Sequence, residues 1–365
     1  LRISLIFLLM ICGIQNVRAN DSAGSVGAGG IVFHKTPGIV MEEEDLFISP
    51  DLVKVSYIFK NNTTKDKTIE VFFPIPMQSS LSAQISWDEE VQQEMKEQEN
   101  RNHPSSNQAQ KMEEAPFSNF SVIVNGKPVQ FKTENRALKD GKDITAVFQK
   151  HALPLSPILA SCSYPTEREE DNKKCGERIK LYKKLGLMTS EGHPLWQKQV
   201  SYHWTQTFPA GKEVKIEHSY RPARGFIFFV PNNTRPPEEV LIQQLMPSGA
   251  WLSQAYPDRP FGGKSDLISW LIQQFRRASS STNPSNGMIW IYEVDYILST
   301  GSNWEGPIKN FTLTIEQPKG GIVSSGWPIE RKHVKAINSH QLQFHQKNFK
   351  PVGDLKIFFG IPYTQ

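Results

Sequence analysis

The chain has 365 residues, with 41 Lys and Arg against 37 Asp and Glu, for a formal net charge of +4. So small an excess, smaller still without Arg2 and Arg18, carries no signature of a nucleic-acid partner or of an acidic membrane surface. The apolar run Ile3–Ile14 falls short of the about 20 residues that a bilayer span needs, and no later run approaches that length.

That run follows Arg2 and precedes Val17-Arg18-Ala19, an arrangement that reads as a cleaved secretory signal over residues 1–19. The mature protein is then expected to begin at Asn20, to carry no transmembrane anchor, and to be periplasmic or secreted. In Leu52–Lys60, Val53, Val55, Tyr57 and Phe59 point one way while Lys54, Ser56 and Lys60 point the other, the period of two that marks a half-buried strand. Asn61–Asp66 turns the chain, and Ile69, Val71 and Phe73 resume the alternation. Between Trp87 and Glu114 the composition changes to Glu, Gln, Lys, Asn and Ser, which predicts a weak helix within a disordered insertion. Phe120, Val122 and Val124 then lead into Asn125-Gly126, a dipeptide suited to the positive φ angles of a type I′ hairpin turn. Val129 and Phe131 belong on the return strand, with Pro128 placing it at a sheet edge.

Asp143 is positioned to cap a short helix over Ile144–His151, and Glu167–Leu185 reads as a second helix ended by Gly186. Outside the leader only Cys162 and Cys175 remain; in an exported chain an even pair predicts one disulfide, worth on the order of 3 kcal/mol. A metal site is the other use of two cysteines, but the segment between them holds no His. A second set of strands begins near Lys198. Val200, Tyr202, Trp204 and Phe208 share one face, and Val214, Ile216, His218 and Tyr220 share the next. Phe226–Val230 is continuously apolar, as in a strand covered on both sides. Ser265 can cap a helix carrying Leu267, Leu271 and Phe275. Met288–Leu298, with alternate Met, Trp, Tyr, Val, Tyr and Leu, is the clearest strand of all. Phe311–Ile315, Leu342–Phe344 and Leu355–Phe359 complete the set. The expected fold is mainly β: two antiparallel β-sandwich-like units, residues 20–150 and 198–365, joined by a helical, disulfide-tied connector at 151–197.

Several separated motifs carry a family resemblance. They are Asn20-Asp21-Ser22 with Gly27-Ala28-Gly29-Gly30, Glu44–Ser49, Phe73-Pro74-Ile75-Pro76, Phe208-Pro209-Ala210-Gly211, His218-Ser219-Tyr220-Arg221-Pro222, Thr300–Ile308, and Phe349-Lys350-Pro351 followed by Asp354-Leu355. Together they resemble the bacterial exported family known as domain of unknown function 4424, over nearly the whole mature chain. The resemblance implies an envelope or secreted location and brings no activity, cofactor or catalytic residue with it.

The sequence nominates few chemical groups. No Gly-x-Ser-x-Gly elbow and no His-Glu-x-x-His occurs, and Gly262-Gly263-Lys264-Ser265 lacks the first glycine of a phosphate loop, having Asp258 in its place. No cofactor, metal site or catalytic residue is therefore assigned. Glu293 and Asp295 share a strand face roughly 7 Å apart and could pair as the acid and base of a glycosidase; two solvated charges opposite an apolar face is the plainer account. His218 and Tyr220 lie on a face that should be buried, either as satisfied core groups or at the mouth of a groove. Trp304 and Glu305 follow the strongest strand in a Gly- and Ser-rich loop, where the indole either plugs the end of the sandwich or anchors a partner. These residues point to a non-enzymatic envelope module that binds a protein or a glycan. The alternative is a hydrolase of cell-wall or extracellular polymer working through Glu293, Asp295 or Glu305.

Overall fold

The computed structural model describes residues 21–27, 30–76, 119–157, 160, 169–222, 225–229, 289–325, 333–351 and 353–362. The strands are, in chain order, β1 (Ser22–Gly27), β2 (Gly30–Phe33), β3 (Ile39–Ile48), β4 (Val53–Asn61), β5 (Lys67–Pro74) and β6 (Ser121–Val124). Then come β7 (Lys127–Pro128), β8 (Lys132–Lys139), β9 (Lys142–Asp143), β10 (Gln197–Phe208), β11 (Glu213–Tyr220) and β12 (Gly225–Phe229). The last six are β13 (Ile289–Tyr296), β14 (Ile308–Glu316), β15 (Ile322–Ser325), β16 (Val334–Ala336), β17 (Gln341–Phe349) and β18 (Leu355–Pro362). Among the described residues two α-helices, α1 (Thr145–Lys150) and α2 (Glu169–Lys184), accompany them. The fold is mainly β.

The strands form three sheets: six strands in the order β2-β1-β5-β10-β8-β9, eight in the order β16-β17-β14-β3-β4-β11-β6-β7, and four in the order β12-β13-β18-β15. Alternation explains the faces. Val53, Val55, Tyr57 and Phe59 of β4 are buried, and so are Val214, Ile216, His218 and Tyr220 of β11 and Val294 and Tyr296 of β13. These inward faces meet in one core, to which all three sheets contribute. A smaller cluster of Phe148, Tyr182, Leu187 and Trp196 fixes the two helices, with the Trp196 indole donating to the Leu155 carbonyl at 2.8 Å.

Strand pairing departs from the division expected along the chain. β5 pairs with β10, β4 with β11, and β3 runs parallel to β14, so both large sheets draw strands from either side of the 151–197 connector. A boundary at 150 and 198 does not separate the sheets. The reason is physical: an alternating pattern says which face of a strand is buried and is silent on which distant strand lies beside it.

Local features follow their chemistry. Asn125 and Gly126 both have positive φ, at 49° and 76°, closing the β6–β7 hairpin. The return strand is shorter than expected, only Lys127–Pro128, and it does lie at the end of its sheet. Phe131 instead packs edge-on against Phe120 and Tyr202. Ile144, rather than Asp143, occupies the helix N-cap, yet Asp143 Oδ1 accepts the Thr145 N–H at 2.8 Å and the carboxylate also pairs with Arg136. Gly186 ends α2 with φ of 66°, its N–H donating to the Lys183 carbonyl. The leader, the 87–114 insertion, Cys162, Val230, the glycine run at 262–263 and the helix expected after Ser265 lie outside the described residues.

Candidate functional site

His218 lies on β11 opposite Val55 of β4 and Val122 of β6, and alternation turns it inward. Its ring is enclosed by Phe73 at 4.8 Å, Trp204 at 5.3 Å, Phe120 at 5.4 Å and Tyr57 at 5.8 Å between centroids. A histidine in such a cage needs a polar partner. The partner is Asp21, whose Oδ1 sits 3.0 Å from His218 Nε2, both side chains being fully buried. Burial pushes the Asp21 acid up, and the His218 imidazole opposes that shift.

Asp21 holds a second residue as well. Its backbone carbonyl accepts the Trp304 indole N–H at 2.6 Å, while Asn303 Nδ2 donates to Ser22 Oγ at 2.9 Å. The Trp304 ring packs on Phe59 at 4.5 Å and faces Phe208 edgewise at 5.9 Å. Nearby, the Tyr57 and Tyr296 hydroxyls are 2.9 Å apart, and burial drives both phenols well above their ordinary range. Tyr220 is buried likewise, with its phenol pushed up. Asp21 therefore joins His218 and Trp304, which sequence reasoning had taken separately, into one buried knot, and 3 % or less of His218, Tyr220 and Trp304 reaches solvent. Glu305 points elsewhere: it accepts the Gly38 N–H, and its own N–H donates to the Ile39 carbonyl at 2.9 Å.

Sequence reasoning missed Asp21. In the sequence Asp21 stands out only as a member of the Asn20-Asp21-Ser22 motif; the signal that points to its role is the need of a buried His218 for a carboxylate or carbonyl.

The Glu293–Asp295 pair stands on β13 beside Lys356 of β18, whose ammonium contacts Glu293 and lies 3.1 Å from Asp295 Oδ1. Crowding by protein desolvates Asp295, 38 % of whose side chain is exposed, and pushes its acid up to about 6; Lys356 counteracts this, and Glu293 and Asp354 add to it. Burial works against the Lys356 charge, but the two carboxylates outweigh it and hold that ammonium above its ordinary range. An ammonium already joins the two carboxylates, which is the geometry of an ion cluster rather than of an acid and a base flanking a glycosidic bond.

A third place is open. β10 covers one edge of β5 along its whole length, from Lys67 to Pro74. On the other edge β1 pairs only at Val71 and Phe72, through Ala23 and Ser22, and then turns off to pair with β2. A cleft of about 310 Å³ results, lined by Ala23 and Gly24, by the segment from His34 to Pro37, and by Lys67, Ile69 and Glu70. Its charged groups are fixed. Lys35 Nζ donates to the Ser302 carbonyl at 2.6 Å, and Lys67 Nζ donates to the Pro37 carbonyl. Glu70 accepts from Thr205 Oγ1 at 2.8 Å and is 2.6 Å from His203 Nδ1. Partial burial would raise the Glu70 acid, but these hydrogen bonds outweigh it and hold the carboxyl below its usual value. Among the described residues no group of three His, Cys, Asp or Glu could hold a metal ion, and no helix is long and apolar enough to cross a membrane.

A family model described as "Domain of unknown function (DUF4424)" matches residues 19–358. The chain belongs to that family. The match takes in the buried knot, the ion cluster and the cleft alike. A search of curated proteins finds no match. Among solved structures, the chain is similar to a Legionella pneumophila protein provisionally described as nutrient binding, with 14 % identity and a TM-score of 0.39 over 94 % of this chain and 70 % of that one. It is similar also to an M1 zinc metallopeptidase from Deinococcus radiodurans, with 7 % identity and a TM-score of 0.26 over 89 % of this chain and 43 % of that one. At these TM-scores neither likeness bears on function.

Proposed function

We propose that this DUF4424 protein is an exported, non-enzymatic module of the cell envelope that binds a protein or glycan partner, and that the partner docks at the cleft beside β5. The observation that carries this reading is the parting of β1 from β5, which leaves a concave surface with an apolar wall of Ala23, Pro37 and Ile69 and a set of fixed charges. Such a combination of apolar lining and a few placed polar groups suits recognition. The aromatic residues that the sequence offered as anchors are engaged inside the core instead. The leader supports export, and Cys162 with Cys175 of α2 supports an oxidising location, where the two are expected to be joined.

The hydrolase reading rests on Asp295, an acid with its pKa raised toward neutrality beside a second carboxylate. Lys356 weighs against it, because its ammonium is engaged with both carboxylates.

Site-specific photocrosslinking separates the two. A photoreactive residue replacing exposed His34, in exported full-length protein, is expected to give a discrete light-dependent adduct that the same probe at exposed Lys335 does not give. No adduct from position 34, together with polymer hydrolysis that disappears in Glu293→Gln, would replace the binding reading by the enzymatic one.

A further inference from the structure

We infer that the cleft beside β5 takes the carboxy-terminal end of a partner polypeptide, added in extended form along the free edge of β5; this rests on the reading of the cleft as the binding surface. Three observations carry it. First, the cleft is a sheet edge. Among the described residues β1 pairs with Val71 and Phe72 of β5 and no strand pairs with Lys67–Glu70 on that side, where Lys67, Ile69 and Glu70 border the cleft. An extended peptide satisfies such an edge by continuing the ladder that β1 leaves.

Second, the charge suits a chain end. Two ammonium groups, Lys35 and Lys67, stand at the cleft against one carboxylate, Glu70. Each lysine spends one donor on a backbone carbonyl, of Ser302 and Pro37 respectively, and a lysine ammonium has three. The remaining donors are held in place for an anion. Glu70 is engaged by Thr205 and His203 on the far side, so the cleft as a whole favours negative charge.

Third, the dimensions suit a short segment. At about 310 Å³ the space lies at the small end of ligand sites, room for the last residues of a chain rather than for a long strand. Ile69, Pro37 and Ala23 offer the final side chain an apolar wall. Among the described residues the one aromatic ring in the lining is the His34 imidazole, so a sugar would find no broad aromatic face there to lie on.

The test uses the mature full chain and three probes: a random octapeptide library with free carboxylates, its C-terminally amidated twin, and uronic-acid oligosaccharides. The free-carboxylate library should be retained at least tenfold more strongly than the amidated one. Retention should vanish in Lys35→Gln/Lys67→Gln, a double variant whose thermal midpoint should match that of the parent. Retained peptides should slow amide hydrogen exchange at Lys67–Glu70 at least tenfold, the signature of an added strand that a merely electrostatic contact would not give. Equal retention of both libraries, or unchanged exchange along β5, would overturn the inference. Retention of uronic-acid oligosaccharides but of no peptide would overturn it too, while leaving the cleft as the binding surface. Failure of every probe, with no crosslink from position 34, would remove that reading as well.

Discussion

Asp21 and the first residues of β1 serve two regions that behave in opposite ways. Asp21 and Ser22 enter the core and tie His218, Asn303 and Trp304 together; Ala23 and Gly24, immediately after them, line an open cleft with Lys35, Lys67 and Glu70. In the knot every side chain is buried, and Asp21, Ser22, His218, Asn303 and Trp304 are tied to one another by hydrogen bonds that join distant segments of the chain. In the cleft the charges are tethered by backbone carbonyls yet keep donors to spare. Polarity and aromaticity alone therefore do not mark a binding site. The side chains that look most like anchors are buried in the core, and the binding surface proposed above rests instead on ordinary lysines beside a partly covered strand.

The largest expected effect breaks the knot. Trp304→Ala removes a ring packed on Phe59 and Phe208 and leaves the Asp21 carbonyl without its donor. It should cost about 3–5 kcal/mol, the range for truncating a buried aromatic. Denaturant unfolding measures this; a loss under about 1 kcal/mol would mean that Trp304 is not the plug described.

Next comes the pair beneath it. Asp21→Ala leaves His218 buried without its partner, which should cost about 3 kcal/mol. The double variant Asp21→Ala/His218→Phe should be more stable than Asp21→Ala alone, because it also removes the stranded imidazole. A double-mutant cycle with no coupling between the two sites would contradict the pairing.

How much of this was legible beforehand follows from the length scale of each cause. Alternation is local, so the inward faces of β4, β11 and β13 could be read directly, and Asn125-Gly126 announced its hairpin through the φ angles it adopts. Register between distant strands is not local. The parallel pairing of β3 with β14 and the crossing of β5 to β10 depend on how whole faces fit, and no short motif records them. The cleft was invisible for the same reason, since it exists only because β1 leaves β5 after Ala23. Asp21 went unread because its partner is 197 positions away.

A smaller effect sharpens the contrast at the ion cluster. Asp295 has a folded-state acid raised to about 6 from an ordinary value of 3.8. The folded state thus holds its proton more tightly than the unfolded chain does. The resulting stabilisation is full below pH 3.8 and is lost as the pH rises through 6. Asp295→Asn should flatten the stability profile across that window. An unchanged slope between pH 4 and 6 would show that the cluster does not titrate there.

The smallest expected effect on stability is at the cleft, and it is the most direct test of the division between a structural knot and a recognition surface. Lys35→Gln/Lys67→Gln replaces two ammonium groups at the rim and should shift unfolding by no more than about 0.5 kcal/mol, as surface changes do. Measured on that double variant alongside the parent, the photocrosslink from position 34 should fall at least tenfold while the melting curve stays in place. A crosslink of parental strength in the stable double variant would contradict the account.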